Sequence, residues 1–372
     1  MTLALDLAPA TEAEVSEVLA DCHARCRPLR IAGGGTRVEN RSLGDPLSLS
    51  RLSGVVTYSP AEMTLIARPG TPLTDIRTML AAEGQALAFE PPDMRPILGH
   101  NGTPTLGGMV AANASGPRRL LAGACRDHLL GVRFVDGQGR VLKNGGRVMK
   151  NVTGLDLSKL LAGSFGTLAV LTEVVLKTLP LAPARTTLAI SGIDDATALR
   201  IFTAALSTPF EVSGAAHVGG TAFLRIEGLE GQLAYRRDRL LALLAEWRPE
   251  VVEDAPWDAI RDAAHFAGEG SLWRILCRPT DAPGLCAGLR AMGGDCSLDW
   301  GGGLIWYRGP GNPRALAPHA TLIRVAKSTA AVSLKERAAG SAFSSGTKTF
   351  SKRRCAWWMA RRASFPRMVV PV

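Results

Sequence analysis

The stretch Thr105-Leu106-Gly107-Gly108-Met109-Val110-Ala111-Ala112-Asn113-Ala114-Ser115-Gly116 is small, uncharged and rich in backbone that no large side chain covers. Thr105 reads as an N-cap and the residues after it as one short helix. Gly107 and Gly108 lack the Cβ atoms that would hold a ligand away from the backbone N–H groups. Exposed N–H groups at a helix start favour an anion, typically a phosphate. The same residues also fit a glycine–alanine helix packed closely on a neighbour.

Two more glycine-rich turns bear on that choice. Residues 11–26 have the spacing of an amphipathic helix, with Thr11 and Glu14 as a capping box and Val15, Val18, Leu19 and Cys22 on one face. A short strand is expected over 28–32, delivering Gly33-Gly34-Gly35-Thr36-Arg37. Three glycines after a strand permit positive φ and a concave nest of N–H groups. This turn is neither GxGxxG nor a Walker A loop, since no convincing helix and no GK[ST] follow it. Strands are expected over 55–58 and 63–67, then a helix with Thr71 as N-cap, Pro72 at N1, Leu73, Ile76 and Leu80 inward, and Gly84 as its stop. Residues 85–89 resume strand.

Beyond the central stretch, 131–135 and 140–143 flank a hairpin turn, and 156–161 read as a helix. Gly163-Ser164-Phe165-Gly166-Thr167 then runs into strands over 168–172 and 173–179. Three such turns together point to a long, phosphate-containing ligand held mostly by main chain.

With 372 residues, 46% of them hydrophobic and 20% charged, the chain should form two domains with a substantial core. No run approaches 18 apolar residues, and the first residues lack the basic region and apolar run of a secretory leader. Seven scattered cysteines without a CxxC pair suggest a reducing compartment and no metal cluster held by this chain alone. The net charge is +10, but residues 325–372 hold ten Lys/Arg and one acid, leaving 33 basic and 32 acidic residues before them. A balanced body argues against nucleic-acid binding.

After a linker near 180–184, strands are expected over 185–190, 221–226 and 272–277, with a helix over 233–247. Trp247, Trp257, Trp273, Trp300 and Trp306 read as core and interface anchors rather than an aromatic substrate box. Asp299-Trp300-Gly301-Gly302-Gly303 is a glycine-rich loop with no assigned role. The six histidines form no HxH or HxxxH pair. His100 and His128 are candidate bases near the central stretch, and a structural role fits each as well. Arg118, Arg119 and Arg126 are candidates for holding a carboxylate or phosphates, with ion pairing such as Arg126 to Asp127 as the alternative. No catalytic residue is assigned.

The run from 28 to 180 resembles the FAD-binding domain of the vanillyl-alcohol oxidase/PCMH flavoproteins. Within it FEPPD, TLGGMVAANASGPRR and the segment from 126 to 180, and later LDWGGGLIW, resemble the FAD-binding E-subunit family of glycolate oxidase (glycolate dehydrogenase). The resemblance covers roughly 10–324. It implies an α+β fold: a PCMH-type FAD-binding domain of two α+β subdomains over 1–182, then a smaller α+β cap-like domain over 185–324. By the resemblance Gly33, Gly34, Gly35 and Thr36 wrap the FAD pyrophosphate. Thr105, Gly107, Gly108, Asn113 and Ser115 lie beside the pyrophosphate and flavin ring. Gly163, Ser164, Gly166, Thr167 and Val170 line the adenosine end and ribityl chain.

Relatives with covalent flavin often carry a histidine in the first glycine turn; its absence here implies non-covalent FAD. The implied function is the FAD subunit of a complex oxidising a 2-hydroxy acid to the 2-oxo acid. The implied partners are a related flavin-containing catalytic subunit and an iron–sulfur subunit. A cytoplasmic place is implied, with peripheral contact to the inner face of the membrane through the complex. The catalytic relatives' paired histidines and acid have no match here, and no metal ligand is assigned. The alternatives are a stand-alone NADPH-dependent reductase of the same fold, or a non-catalytic assembly subunit with a vestigial flavin site.

The resemblance stops after Arg324. Relatives continue with a segment that folds back on the flavin domain, whereas 325–372 is basic, carries Trp357-Trp358 and shows no sustained period. Translation in a shifted frame, giving a poorly ordered tail, is the expectation; a basic arm for nucleic acid or anionic membrane is the alternative.

Overall fold

In the computed structural model the described residues are 7–37, 44–147, 154–253 and 255–325. The expectations for the tail after 325 lie outside them. The first half supplies β1 (Leu29–Ala32), β2 (Asp45–Ser48), β3 (Val55–Ser59), β4 (Thr64–Ala67), β5 (Gln85–Ala86), β6 (Leu129–Asp136), β7 (Val141–Gly145), β8 (Ala169–Lys177) and β9 (Leu179–Pro180). A five-stranded antiparallel sheet has the order β3-β4-β8-β6-β7. β8 takes the centre because its apolar residues are buried on both faces, whereas β3 and β7 begin with three exposed residues each and suit the edges. β1 and β2 form a separate parallel pair.

Helix α1 (Glu12–Ala24) buries Val15, Leu19 and Cys22. Thr11 caps it by accepting from the Glu14 N–H at 3.2 Å, but the Glu14 carboxylate reaches the N–H of Ala10 at 2.8 Å rather than that of Thr11. Helix α2 (Leu73–Ala82) starts without a side-chain cap, and Pro72 itself takes the cap position expected for Thr71. The Thr71 hydroxyl instead donates to the Arg68 carbonyl at 2.7 Å and accepts from the Gly54 N–H at 3.0 Å, bracing the turn before the helix. Only Gln85 and Ala86 of the expected strand pair, because β9 offers just two residues; Phe89 turns into the core.

The short helices α3 (Arg95–Leu98), α4 (Leu106–Ala111), α5 (Arg119–Ala122) and α6 (Leu157–Leu161) lie between the strands in sequence. Leu73, Ile76 and Leu80 of α2 and Leu106, Met109 and Val110 of α4 share one core with Leu65, Val132, Val174 and Leu176 of the sheet.

The second half supplies β10 (Ala184–Ser191), β11 (Val212–Val218), β12 (Thr221–Gly228), β13 (Glu250–Val252), β14 (Ser271–Leu276), β15 (Asp295–Asp299), β16 (Leu304–Gly309) and β17 (Thr321–Arg324). They form one eight-stranded sheet, β13-β10-β12-β11-β15-β16-β14-β17, antiparallel at each recorded pairing. Helices α7 (Asp195–Leu206), α8 (Glu230–Leu243), α9 (Trp257–Arg261) and α10 (Ala282–Ala291) join them. Leu188, Leu224 and Ile226 pack on Ile201, Phe202, Leu233 and Leu240 of α7 and α8. β11 escapes a propensity reading because its Gly-Ala-Ala centre is poor in strand formers; a Cβ on Gly214 would lie 2.7 Å from the Trp257 ring. The architecture is α+β.

Polar and apolar contacts join residues 90–118 to the second sheet. Glu90 accepts from Arg225 Nη2 at 2.8 Å, Arg118 Nε donates to Glu227 at 2.8 Å, and the Asp93 N–H donates to Asp262 at 2.8 Å. Met94 and Ile97 share a cluster with Phe266, Leu272, Trp300 and Trp306.

Candidate functional site

The three glycine turns, far apart in sequence, meet at one cleft. Its wall is formed by Gly33, Thr105, Gly107, Gly108, Ser164 and Gly166, with Ile31, Leu49, Pro69, Ala111, Phe165, Ala169 and Leu171, and it encloses about 470 Å³ including its open mouth. Thr105 caps α4 as expected, accepting from the Gly108 N–H at 3.3 Å.

The start of α4 is not free to bind an anion. Leu106 N–H donates to the Thr71 carbonyl at 2.9 Å and Gly107 N–H to the Pro69 carbonyl at 2.7 Å, while Gly108 N–H is held by Thr105. Protein acceptors have taken the donors that would otherwise face a phosphate. Gly107 is a packing glycine, since its Cβ would lie 2.5 Å from that of Pro69. Gly108 differs: only the Thr105 hydroxyl, at 3.3 Å, would meet a Cβ there, and it faces the cleft.

The donors lie in the first turn instead. Among the described residues nothing accepts from the N–H groups of Gly33, Gly34, Gly35 or Thr36. Only Gly35 takes positive φ, +66°, so the other two glycines serve another end. A Cβ on Gly33 would collide with the Thr105 hydroxyl, and one on Gly34 with the Thr103 carbonyl. They let the first turn lie directly on the second. Gly166 N–H in the third turn likewise has no acceptor among the described residues.

Arg37, which the sequence reading passed over, adds a cation. Its Nη1 donates to the Pro92 carbonyl at 3.1 Å, but its Nε and Nη2 are buried with no partner. Burial lowers its pKa to about 10. A run of unused backbone donors beside a buried, partly unsatisfied guanidinium fits a ligand carrying a diphosphate.

Other expected site residues sit differently. Asn113, at φ +46°, accepts the Arg126 N–H through Oδ1 at 3.0 Å, and Ser115 Oγ accepts the Cys125 N–H at 3.0 Å. Both side chains brace the segment that follows. Val170 points away, into a cluster with Val15, Leu19 and Val135, while its neighbours Ala169 and Leu171 line the cleft. Thr167 bonds back to the Ser164 carbonyl at 2.7 Å, and Gly163 donates its N–H to Val110. Thr36 is buried beside Gly102. Phe165, between Ser164 and Gly166 and unremarked in sequence, holds φ +52° at the cleft with its ring half exposed.

The candidate bases and cations separate by partner. His128 bonds the Ala122 carbonyl at 2.8 Å and packs on Phe89 at 5.2 Å, and burial lowers its pKa. It is a structural histidine, and His100 is not on the cleft wall either. Arg118 is committed to Glu227, and Arg126 forms a long, exposed pair with Asp127 at 3.8 Å. Arg119 has neither kind of partner among the described residues and lies over Trp300. Trp257, Trp273, Trp300 and Trp306 are buried, in keeping with anchors.

Residues 4–145 match a family model described as an FAD binding domain. The chain is similar to the glycolate oxidase subunit GlcE of Escherichia coli (strain K12), 37% identical over 289 residues, 76% of each chain. It is 30% identical over 178 residues to the glycolate oxidase subunit GlcD of Bacillus subtilis (strain 168), spanning 47% of this chain but 36% of that one. Among solved structures, p-cresol methylhydroxylase with substrate bound superposes with a TM-score of 0.62 at 14% identity, over 82% of this chain and 75% of that one.

Proposed function

The chain belongs to the family of the glycolate oxidase subunit GlcE and carries an FAD-binding domain, and from that premise we propose that it is the FAD subunit of a complex oxidising a small 2-hydroxy acid to the 2-oxo acid. The convergence of three glycine turns on one cleft carries this reading, supported by the partly unsatisfied Arg37 guanidinium that follows the first of them in sequence. Residues 1–182 serve as the FAD-binding domain and 185–324 as a cap. The backbone of 33–36, with Arg37, holds the diphosphate; Gly108, Ser164, Phe165 and Gly166 line the rest. FAD held there would supply a two-electron carrier able to release electrons one at a time.

We assign non-covalent retention because the first glycine turn, Gly33 to Arg37, carries no histidine. The assigned division of labour gives substrate oxidation to a related flavin subunit and onward electron transfer to an iron–sulfur subunit. No helix among the described residues is long and apolar enough to cross a membrane. We place the complex in the cytoplasm, with any contact to the inner face of the membrane made through the partners.

The purified chain should be yellow, and acid precipitation should leave FAD in the supernatant. A colourless chain that takes up no FAD overturns the cofactor assignment, and flavin in the pellet overturns non-covalent binding. Glycolate should drive little dye reduction by this chain alone and much more after co-expression with both partner subunits. Full activity from this polypeptide alone overturns the division of labour.

A further inference from the structure

Trp300 is covered by two arginines from distant parts of the chain. The guanidinium carbon of Arg119 lies 4.3 Å from a Trp300 ring centroid, and that of Arg274 lies 5.1 Å from it. Arg119 begins α5, just past the central glycine stretch, and Arg274 lies on β14 of the second sheet. Trp300 is itself fixed, because its Nε1 donates to the Gly116 carbonyl at 2.9 Å.

Stacking on an indole uses the face of a guanidinium and leaves its N–H edges for an acceptor in the plane. Neither guanidinium has a hydrogen-bond acceptor or carboxylate partner among the described residues. Nearby arginines do: Arg118 pairs with Glu227, Arg225 with Glu90 and Arg261 with Asp262. The charge of the Asp299 carboxyl favours the Arg274 cation, but Asp299 makes no hydrogen bond to it and accepts the Trp300 N–H at 2.7 Å. Burial first, then the charge of Arg119, lowers the pKa of Arg274 to about 10. Burial and then Arg126 lower that of Arg119. A carboxylate accepting from these guanidinium groups would offset their burial and, at Arg274, the repulsion from Arg119.

We infer that Arg119 and Arg274, aligned on Trp300, bind the carboxylate of a small organic acid and give this chain its own contact with the 2-hydroxy acid. The identity of the acid rests on the function proposed above; the paired cations do not.

Calorimetric titration of the flavin-loaded chain with oxalate, an unreactive probe, tests the site. Arg274→Met and Arg119→Met should each weaken oxalate binding at least tenfold, and Arg274→Lys should weaken it less than Arg274→Met. Without oxalate, the melting temperature of Arg274→Met should equal or exceed that of wild type, because a buried like-charge repulsion is gone. Undiminished oxalate binding in these variants overturns the site, as does wild type that binds inorganic phosphate but not oxalate. Arg274-dependent oxalate binding, with no flavin reduction by glycolate in the assembled complex, keeps the site and overturns the substrate reading.

Discussion

Trp300 Nε1 donates to the carbonyl of Gly116 at 2.9 Å, joining the loop after β15 to the end of the central glycine stretch across 184 residues of chain. Both residues are buried. Trp300→Phe keeps an aromatic ring but removes this donor; the Gly116 carbonyl still accepts from the Arg119 N–H at 3.1 Å, so the cost should be about 0.5–1.5 kcal/mol. Thermal or denaturant unfolding reads this directly, and a variant as stable as wild type shows that the bond holds nothing.

Gly107 and Gly108 are adjacent yet should respond oppositely to a branched side chain. Gly107→Val drives a methyl group into Pro69 and should lower the melting temperature sharply. Gly108→Val projects into the cleft, so it should abolish FAD retention with a much smaller loss of stability. Flavin content and melting curves of the two variants check the contrast. Full occupancy in Gly108→Val would place the cofactor elsewhere.

Arg37→Met should separate binding from folding. The buried guanidinium has two nitrogens without partners, so removing it relieves a desolvation penalty in the FAD-free chain. Removing a charged hydrogen bond to the ligand, worth about 1.5–3 kcal/mol, should weaken FAD binding by roughly tenfold or more. Reconstitution titrations and unfolding of the FAD-free chain supply the two readings.

Asp299 should set a pH dependence of stability. Burial, the leading cause, pushes its pKa up from 3.8 to about 7. Its favourable contribution is therefore full below the unfolded value and is lost as pH rises through about 7. A rise of this size corresponds to about 4 kcal/mol against the ionised form, as an upper scale. Asp299→Asn keeps an oxygen for the Trp300 N–H, so it should be more stable than wild type at about pH 8 and converge on it towards about pH 4. Denaturant melts at both pH values check this, and a pH-independent difference rules out the titration.

Local patterns were legible in the sequence where chemistry is local. Thr11 and Thr105 cap their helices, the 131–135 and 140–143 segments pair, and Gly84 follows α2 at φ +62°. The glycine turns were found for the same reason. What each glycine does was not legible, because Gly33, Gly34 and Gly107 answer to residues elsewhere in the sequence: Thr105, Thr103 and Pro69. Nor was the loss of the α4 donors, which depends on where the carbonyls of Pro69 and Thr71 come to rest. Arg37 and Trp300 carry no local signature; their meaning comes from burial and from partners across the fold. β11 and β15–β17 were missed because tertiary pairing overrides weak or short strand patterns.

The position of β8 has a consequence for biosynthesis. It lies between β4 and β6, yet it is the last strand of its sheet to leave the ribosome. Until residue 177 has been made, that sheet exists only as two separate hairpins, β3–β4 and β6–β7. The glycine turn at 163–167 that completes the cleft immediately precedes this strand. Vectorial synthesis thus delivers the sheet's closure and the candidate cofactor cleft together, and a nascent chain stopped short of that point possesses neither. The proposed flavin cleft is therefore complete while the second sheet is still being translated, whereas the arginine pair on Trp300 must wait for almost the whole described chain.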